Sequence, residues 1–261
     1  MICKFYGCSG LKSVTIPNSV TTIGGSAFHG CTGLSTVTIP SSVTSISSSA
    51  FSGCSALTDV TLNSNAIVSN TYTSSSSLSS IFGSQVTKYT IGEGVTSIGD
   101  YAFYNCSKLT SVNIPSSITN IGNSAFSGCT DLTKAIIADI AKWCNISFGN
   151  SSSNPLYYAK HIYSDESTEI TDLVIPDGVA TIGGSAFFYC SNLKSVTIPS
   201  SVTFIDSHAF DECSGLTKVI VPDIAKWCSI SFGTYGTSNP LSYAHHLYSD
   251  KNTEITELVI P

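Results

Sequence analysis

One short pattern, L-x-x-V-x-I-P, constrains this chain more than any other feature. It occurs as Leu11-Val14-Ile16-Pro17, Leu34-Val37-Ile39-Pro40, Leu109-Val112-Ile114-Pro115, Leu193-Val196-Ile198-Pro199 and Leu216-Val219-Val221-Pro222. Looser copies are Leu57-Val60-Leu62, Val86-Tyr89-Ile91, Leu132-Ala135-Ile137, Ile170-Leu173-Ile175 and Ile255-Leu258-Ile260. The residues that hold or replace the proline stand at 17, 40, 63, 92, 115, 138, 176, 199, 222 and 261, in steps of 23, 23, 29, 23, 23, 38, 23, 23 and 39. Two short coils and one long coil therefore alternate three times. A unit of this length cannot bury its own apolar face; only a stack of such units forms a core.

Each short coil divides into three parts. The β-branched, alternating L-x-x-V-x-I segment reads as a strand with one apolar face. Proline ends it, having no N–H to give to a ladder. A second extended piece follows, as in Ser19-Val20-Thr21-Thr22-Ile23-Gly24, and then a short helical turn, Ala27-Phe28-His29-Gly30-Cys31. The equivalents Ala50-Phe51, Ala102-Phe103, Ala125-Phe126, Ala186-Phe187 and Ala209-Phe210 place a phenylalanine column through the stack. The last two modules are near copies. Asp139-Ile140-Ala141-Lys142-Trp143-Cys144 recurs as Asp223-Ile224-Ala225-Lys226-Trp227-Cys228, and Asn154-Pro155-Leu156 recurs as Asn239-Pro240-Leu241, with a single insertion between the two matches.

The repeat resembles that of the BspA-like leucine-rich repeat family, C-x-x-L-x-x-V-x-I-P-x-x-V-x-x-I-G-x-x-A-F, over essentially the whole chain. With the strand pattern, it gives the expected fold: a β-rich α/β leucine-rich-repeat solenoid (horseshoe), right-handed as parallel crossovers nearly always are. Its parallel sheet has about ten rungs, roughly 45 Å at the usual strand spacing. Residues 1–261 form a single domain of three modules, 1–91, 92–175 and 176–261. The resemblance also implies a secreted or cell-surface protein of a bacterium or protist, with a role in adhesion, and it supplies no catalytic residues.

Composition narrows the partners. Of 261 residues, 11% are charged and 42% hydrophobic, and all eleven basic residues are lysine. Without arginine the chain lacks the planar fork that clamps phosphate. A net charge of −6 also disfavours nucleic acid and anionic membranes. No apolar run is long enough to cross a bilayer, and Met1-Ile2-Cys3-Lys4 leads straight into repeat sequence without a signal peptide. The expectation is a piece of a longer protein, or a chain that self-associates through uncapped solenoid ends.

Three residue classes invite a chemical reading. Cys8, Cys31, Cys54, Cys106, Cys129, Cys190 and Cys213 end the helical turns, but they form a row rather than a converging ligand set, and no C-x-x-C occurs. They read as reduced core residues, as do Cys144 and Cys228. His161 with Asp165, and His246 with Asp250, have a spacing suited to metal or acid–base work, yet no third group is set by it, and a structural role explains the repetition better. Serine is abundant without a G-x-S-x-G elbow. The sequons at Asn105, Asn145 and Asn150 carry little weight. No metal or cofactor is expected.

The long coils carry the site expectations. Thr71 to Ser80 is Ser-rich and reads as a flexible loop, whereas the other two contain Trp143, Tyr158, Tyr163, Trp227, Tyr243 and Tyr248, enough apolar surface to fold back on the solenoid. At the rungs flanking each long coil the outward Ser and Thr give way to charges: Asp59 then Lys88, Lys134 then Asp172, Lys218 then Glu257. These are expected to be lateral neighbours. Beside the last two pairs lie Ile136 with Val174, and Ile220 with Val259, either a ligand spot or, preferably, a seat for the aromatics of the insert. The expected function is a non-enzymatic adhesion or protein-binding module whose ligand, a protein or glycan, meets the solenoid surface and these aromatic and charged residues. A passive spacer, which would bury the aromatics, is the alternative; a hydrolase is less favoured because nothing converges.

Overall fold

The computed structural model describes residues 5–234 and 237–257; Val259 and most of the tenth copy of the motif lie outside these. Seven parallel strands, Ser13–Thr15, Thr36–Ile39, Asp59–Leu62, Lys88–Ile91, Ser111–Ile114, Lys134–Ile137 and Ile162–Tyr163, stack in that order as one sheet. Four more, Asp172–Val174, Ser195–Thr197, Lys218–Ile220 and Leu247–Tyr248, form a second sheet. The repeat sets the register: Val14 faces Val37, Val37 faces Val60, Val60 faces Tyr89, Tyr89 faces Val112, and Val112 faces Ala135. Burial alternates along most of these strands, as in Thr36–Ile39, because successive side chains point to opposite faces; Ile136, Ser195 and Ile220 are buried on the outward side as well. On the other side of the coil, two-residue strands such as Thr22–Ile23, Asn120–Ile121 and Phe204–Ile205 pair in the same parallel sense.

The structure departs from the expected single sheet of ten rungs. Each of the last two long coils lays down an extra strand, Ile162–Tyr163 and Leu247–Tyr248, which pairs with Lys134–Ile137 and Lys218–Ile220 respectively. Tyr163 then pairs antiparallel with Glu169, and Ile170 N donates to Ile162 O at 2.8 Å. That hairpin occupies the edge that the next rung would have used, so the sheet breaks between Tyr163 and Asp172. Nor is the Ser-rich piece of the first long coil a loose loop. Tyr72 and Leu78 are buried, the Tyr72 hydroxyl donates to Ile67 O at 2.7 Å, and helix α2 (Leu78–Phe82) follows helix α1 (Asn65–Val68).

The core is a set of columns. Phe28 and Phe51 stack at 5.0 Å, Phe103 and Phe126 at 4.9 Å, Phe187 and Phe210 at 5.4 Å, all near parallel. In the first long coil, which lacks Ala-Phe, Phe82 of α2 takes the position next to Phe51, and Tyr89 fills the space between Phe82 and Phe103. Backbone bonds run through the same column, for example Phe28 N to Ala50 O and Phe103 N to Ala125 O, both 2.8 Å. The turns close through left-handed residues. Gly128 is one (φ +81°), and a Cβ there would come within 2.2 Å of Asn105 Oδ1.

The cysteines prove to be part of this wiring. The thiols of Cys31, Cys54, Cys129 and Cys213 each donate to the carbonyl of the phenylalanine one coil earlier, at 3.0 to 3.2 Å. Burial pushes Cys54 up to about 11, and Cys106 and Cys144 to about 12. Two thiols differ from the expectation: Cys8 and Cys228 are exposed, since no coil among the described residues packs over their outer side. Alkylation of the native protein at mildly alkaline pH should therefore modify Cys8 and Cys228 rapidly and the seven buried thiols only after unfolding, as peptide mapping would show; rapid labelling of Cys129 would contradict this packing. Stability should also decline above pH about 9. Unfolded thiols ionise there, while the folded ones hold their protons towards about 12, so the unfolded state is increasingly favoured across that window. Urea midpoints measured across that range provide the check.

Candidate binding surface

Each of the last two long coils starts with a capped helix. Asp139 and Asp223 are the N-caps of α3 (Ile140–Trp143) and α5 (Ile224–Cys228), accepting from Lys142 N and Lys226 N at 3.0 Å. The first helix delivers Trp143 into the core, where it is 1% exposed and its indole N–H donates to Ala186 O at 2.7 Å. In a short coil that carbonyl would accept from a phenylalanine N–H of the preceding coil. Asn154, also fully buried, supplies a second side-chain donor, to Ser185 O at 2.7 Å, while its Oδ1 accepts from Leu156 N. Thus Trp143 replaces a backbone contact that the long coil would otherwise have broken, and Asn154 adds a second tie to the same turn.

The tyrosines that follow in α4 (Leu156–Ala159) and α6 (Leu241–Ala244) serve the previous coil. Tyr158 Oη accepts from Gly128 N at 2.9 Å, and Tyr243 Oη accepts from the equivalent Glu212 N at 2.8 Å and donates to Asp211. Trp143 is therefore unable to meet a ligand, and the hydroxyls of Tyr158 and Tyr243 are already occupied. Trp227, the counterpart of Trp143, packs on Phe232 but is half-buried, and its indole N–H has no partner among the described residues. Composition could not have separated these roles, because Trp143 and Trp227 share one hexapeptide.

The remaining predicted residues gather over the outward sheet face. Asp59 and Lys88 are lateral neighbours as expected. Lys134 and Asp172 are not, nor are Lys218 and Glu257, because the extra strands intervene. Lys134 instead lies 4.5 Å over the ring of Tyr163, and Lys218 lies 4.2 Å over that of Tyr248. Ile136 and Ile220 face Tyr163 and Tyr248 across the ladder and so seat the aromatics of the inserts, whereas Val174 pairs with Thr197 and stays exposed. Glu257 is exposed and makes no ion pair among the described residues. Asp172 accepts from Ser195 Oγ at 2.5 Å.

The hairpins after Tyr163 and Tyr248 overhang this face. Asp165 and Asp250 tie their turns: Asp165 accepts from Ser167 N and Thr168 N, both 2.8 Å, which lowers its carboxyl to about 2. These aspartates are not the partners of His161 and His246. His161 Nδ1 meets Glu169 at 2.6 Å and His246 Nδ1 meets Glu254 at 2.6 Å, straps across each hairpin. Partial burial opposes ionisation of Glu169, but its bonds to His161 and Asn192 outweigh that and lower it. Sequence spacing missed this pairing because the hairpin brings the far ends of its two arms side by side. Among the described residues no group of three or more His, Cys, Asp and Glu converges as metal ligands would, and no helix is long and apolar enough to cross a membrane.

Opposite the strand face the short coils close through consecutive hydrogen-bonded turns rather than the expected helical turn, because residues such as Ser26 and Gly30 take positive φ. Stacked coils of this kind define a leucine-rich repeat protein. The chain belongs to the BspA-type leucine-rich repeat family: the family model described as the BspA type leucine rich repeat region (6 copies) matches residues 3–87, 82–164 and 159–245. Similar solved structures include a leucine-rich repeat protein of Bacteroides ovatus (27% identity, 90% of this chain and 63% of that one, TM-score 0.38). Another is the Treponema pallidum leucine rich repeat protein (26%, 59% and 67%, 0.37). A third is a leucine rich cell surface protein of Faecalibacterium prausnitzii (23%, 87% and 64%, 0.29). The chain thus spans less than two thirds of the Bacteroides protein's length. No curated protein matches it. Proteins of this repeat class are typically binding proteins and generally non-enzymatic.

The two tryptophans offer a direct test of the structural assignment. Trp143→Ala should cost about 3–5 kcal/mol, the usual range for emptying a filled aromatic site, and Trp227→Ala clearly less. Urea unfolding of the two variants should separate their midpoints; equal losses would contradict the bridging role of Trp143.

Proposed function

We propose that this chain is a non-enzymatic protein-binding module of a secreted or cell-surface protein, and that it recognises its partner on the outward face of the parallel sheet. One observation carries the reading: the hairpins of the second and third modules fold over an otherwise level Ser/Thr surface and shape it. They leave Val174 54% exposed in its midst. Inward residues are committed to stacking, and backbone groups to the ladder, so this face is what the fold leaves available for recognition. The partner we propose is a host or neighbouring-cell protein, a reading supported by the family and by the length of the polar face, which suits many weak contacts.

A spacer is the second reading, favoured by the burial of Trp143 and by the internal hydrogen bonds of Tyr158 and Tyr243. Binding to an array of extracellular-matrix proteins and glycans separates the two readings. A variant with Thr38→Glu, Thr90→Glu and Val174→Glu on the sheet face should lose roughly tenfold or more in affinity, given the cost of burying unpaired charge at an interface. A variant of equal charge on the opposite face, Thr22→Glu, Asn120→Glu and Thr203→Glu, should bind as the parent does. Absence of any binding would favour the spacer, and equal losses in both variants would remove the sheet face as the site.

A further inference from the structure

The duplicated modules hold an internal comparison. Aligned on their shared hexapeptide and Asn-Pro-Leu, they place Lys88, Lys134 and Glu166 of one module at the positions of Asp172, Lys218 and Lys251 in the next. In the earlier module the hairpin folds back across three rungs. Glu166 pairs with Lys88 at 2.5 Å, and its carbonyl accepts from Lys134, so the space above Ser111 is bridged. In the later module the two bridging charges are interchanged, yet the bridge is absent. Asp172 turns to Ser195 Oγ, and Lys251 makes no ion pair among the described residues. Lys218 donates to the Lys251 carbonyl at 2.8 Å. What remains is an open groove of about 440 Å³ over Asp172–Val174, Ser195–Thr197 and Lys218–Ile220.

The charge of this groove runs against that of the molecule. Lys194, Lys218 and Lys251 line it with Asp172 as the one acid of the lining, in a chain of net charge −6. Lys194 replaces Thr110 of the earlier module, so two of the three lysines are specific to this copy. Nearby Asp250 accepts from Asn252 N and Thr253 N, which with the charge of Lys218 keeps it ionised, so Lys218 is partly offset and Lys194 and Lys251 carry the excess positive charge of the rim. The floor is aliphatic and hydroxylic, with Val174 exposed beside Thr197 and Ile220, which are lateral neighbours.

We infer that this groove binds an extended acidic segment of a partner protein, carboxylates on the lysine rim and an aliphatic side chain on Val174. The inference rests on the protein-binding reading above and names the chemistry of its partner. Lysines are point charges suited to single carboxylates. A sugar would want an open aromatic platform, and the Tyr248 ring is covered by Lys218.

The probe is a fluorescent octapeptide of alternating Glu and Val, titrated against the intact chain at low ionic strength, with the Gln/Val peptide and heparin alongside. The Glu/Val peptide should bind, the Gln/Val peptide should bind at least several-fold more weakly, and added salt should weaken binding as screening predicts. The double variant Asp172→Lys/Lys251→Glu copies the bridged module at unchanged net charge and should lose roughly tenfold or more. Lys194→Gln, which leaves every bond of the fold in place, should lose several-fold. An undetectable interaction, or binding untouched by the double variant, overturns the groove. Tighter binding of heparin, lost in the same variant, overturns the peptide in favour of an anionic glycan. In the matrix array the double variant distinguishes the two levels: a protein ligand that it still binds as the parent does removes the groove and leaves the sheet-face reading standing.

Discussion

Everything in this molecule depends on one coil lying in register on the next. A single short coil has too little apolar surface to hold itself together; stacking supplies the missing half of its core and the partners for its backbone. Two rows of contacts enforce the register. On one side the strands share ladder bonds residue for residue, and on the other Phe N–H meets the next coil's Ala carbonyl while a cysteine thiol caps the phenylalanine carbonyl behind it. Because both rows repeat at the same interval, a shift of one residue would turn apolar side chains to solvent along the whole stack.

The long coils show how such a register survives interruption. A coil lengthened by more than half cannot place a phenylalanine turn where the next coil needs it. Trp143 reaches across instead, offering its indole N–H to the Ala186 carbonyl that lacks its usual backbone donor, and Asn154 adds a side-chain N–H to the neighbouring Ser185 carbonyl. Tyr158 serves the preceding side, where its hydroxyl oxygen accepts from Gly128 N. The extra chain is thereby used twice, to seal the core beneath and to raise a hairpin over the sheet face. Surface relief on that face is a by-product of repairing the stack, and sequence changes in the hairpin can then alter its charge without disturbing the core.

The position of function in this fold follows from the same economy of contacts. Buried thiols raised towards about 12 are poor nucleophiles, and the His–Glu pairs brace hairpins rather than converge on a cavity. On the outward side Lys194 and Lys251 have no ion pair among the described residues, whereas Lys88 does. Between the duplicated modules this face differs in charge, with Lys88, Thr110 and Glu166 standing where the later copy has Asp172, Lys194 and Lys251.

Repeat, strand positions, phenylalanine column and family were all legible in the amino-acid sequence, because a stacked architecture writes the same physical demand many times at one interval. The turn after the second strand is not the helical one that the pattern suggests, since Ser26 and Gly30 take positive φ. The seating of aromatics on Ile136 and Ile220 was legible for the same reason: Ile stands there where other rungs carry Thr. What only the tertiary structure decided were matters settled by which residue meets which across a non-repeating segment. The extra strands at Ile162 and Leu247 displaced the expected Lys134–Asp172 neighbours. His161 turned to Glu169 instead of Asp165, and Trp143 went inside while the identical hexapeptide left Trp227 half-exposed. Periodic sequence determines periodic contacts; once the period breaks, side-chain partners depend on the path of the chain, which spacing alone does not contain.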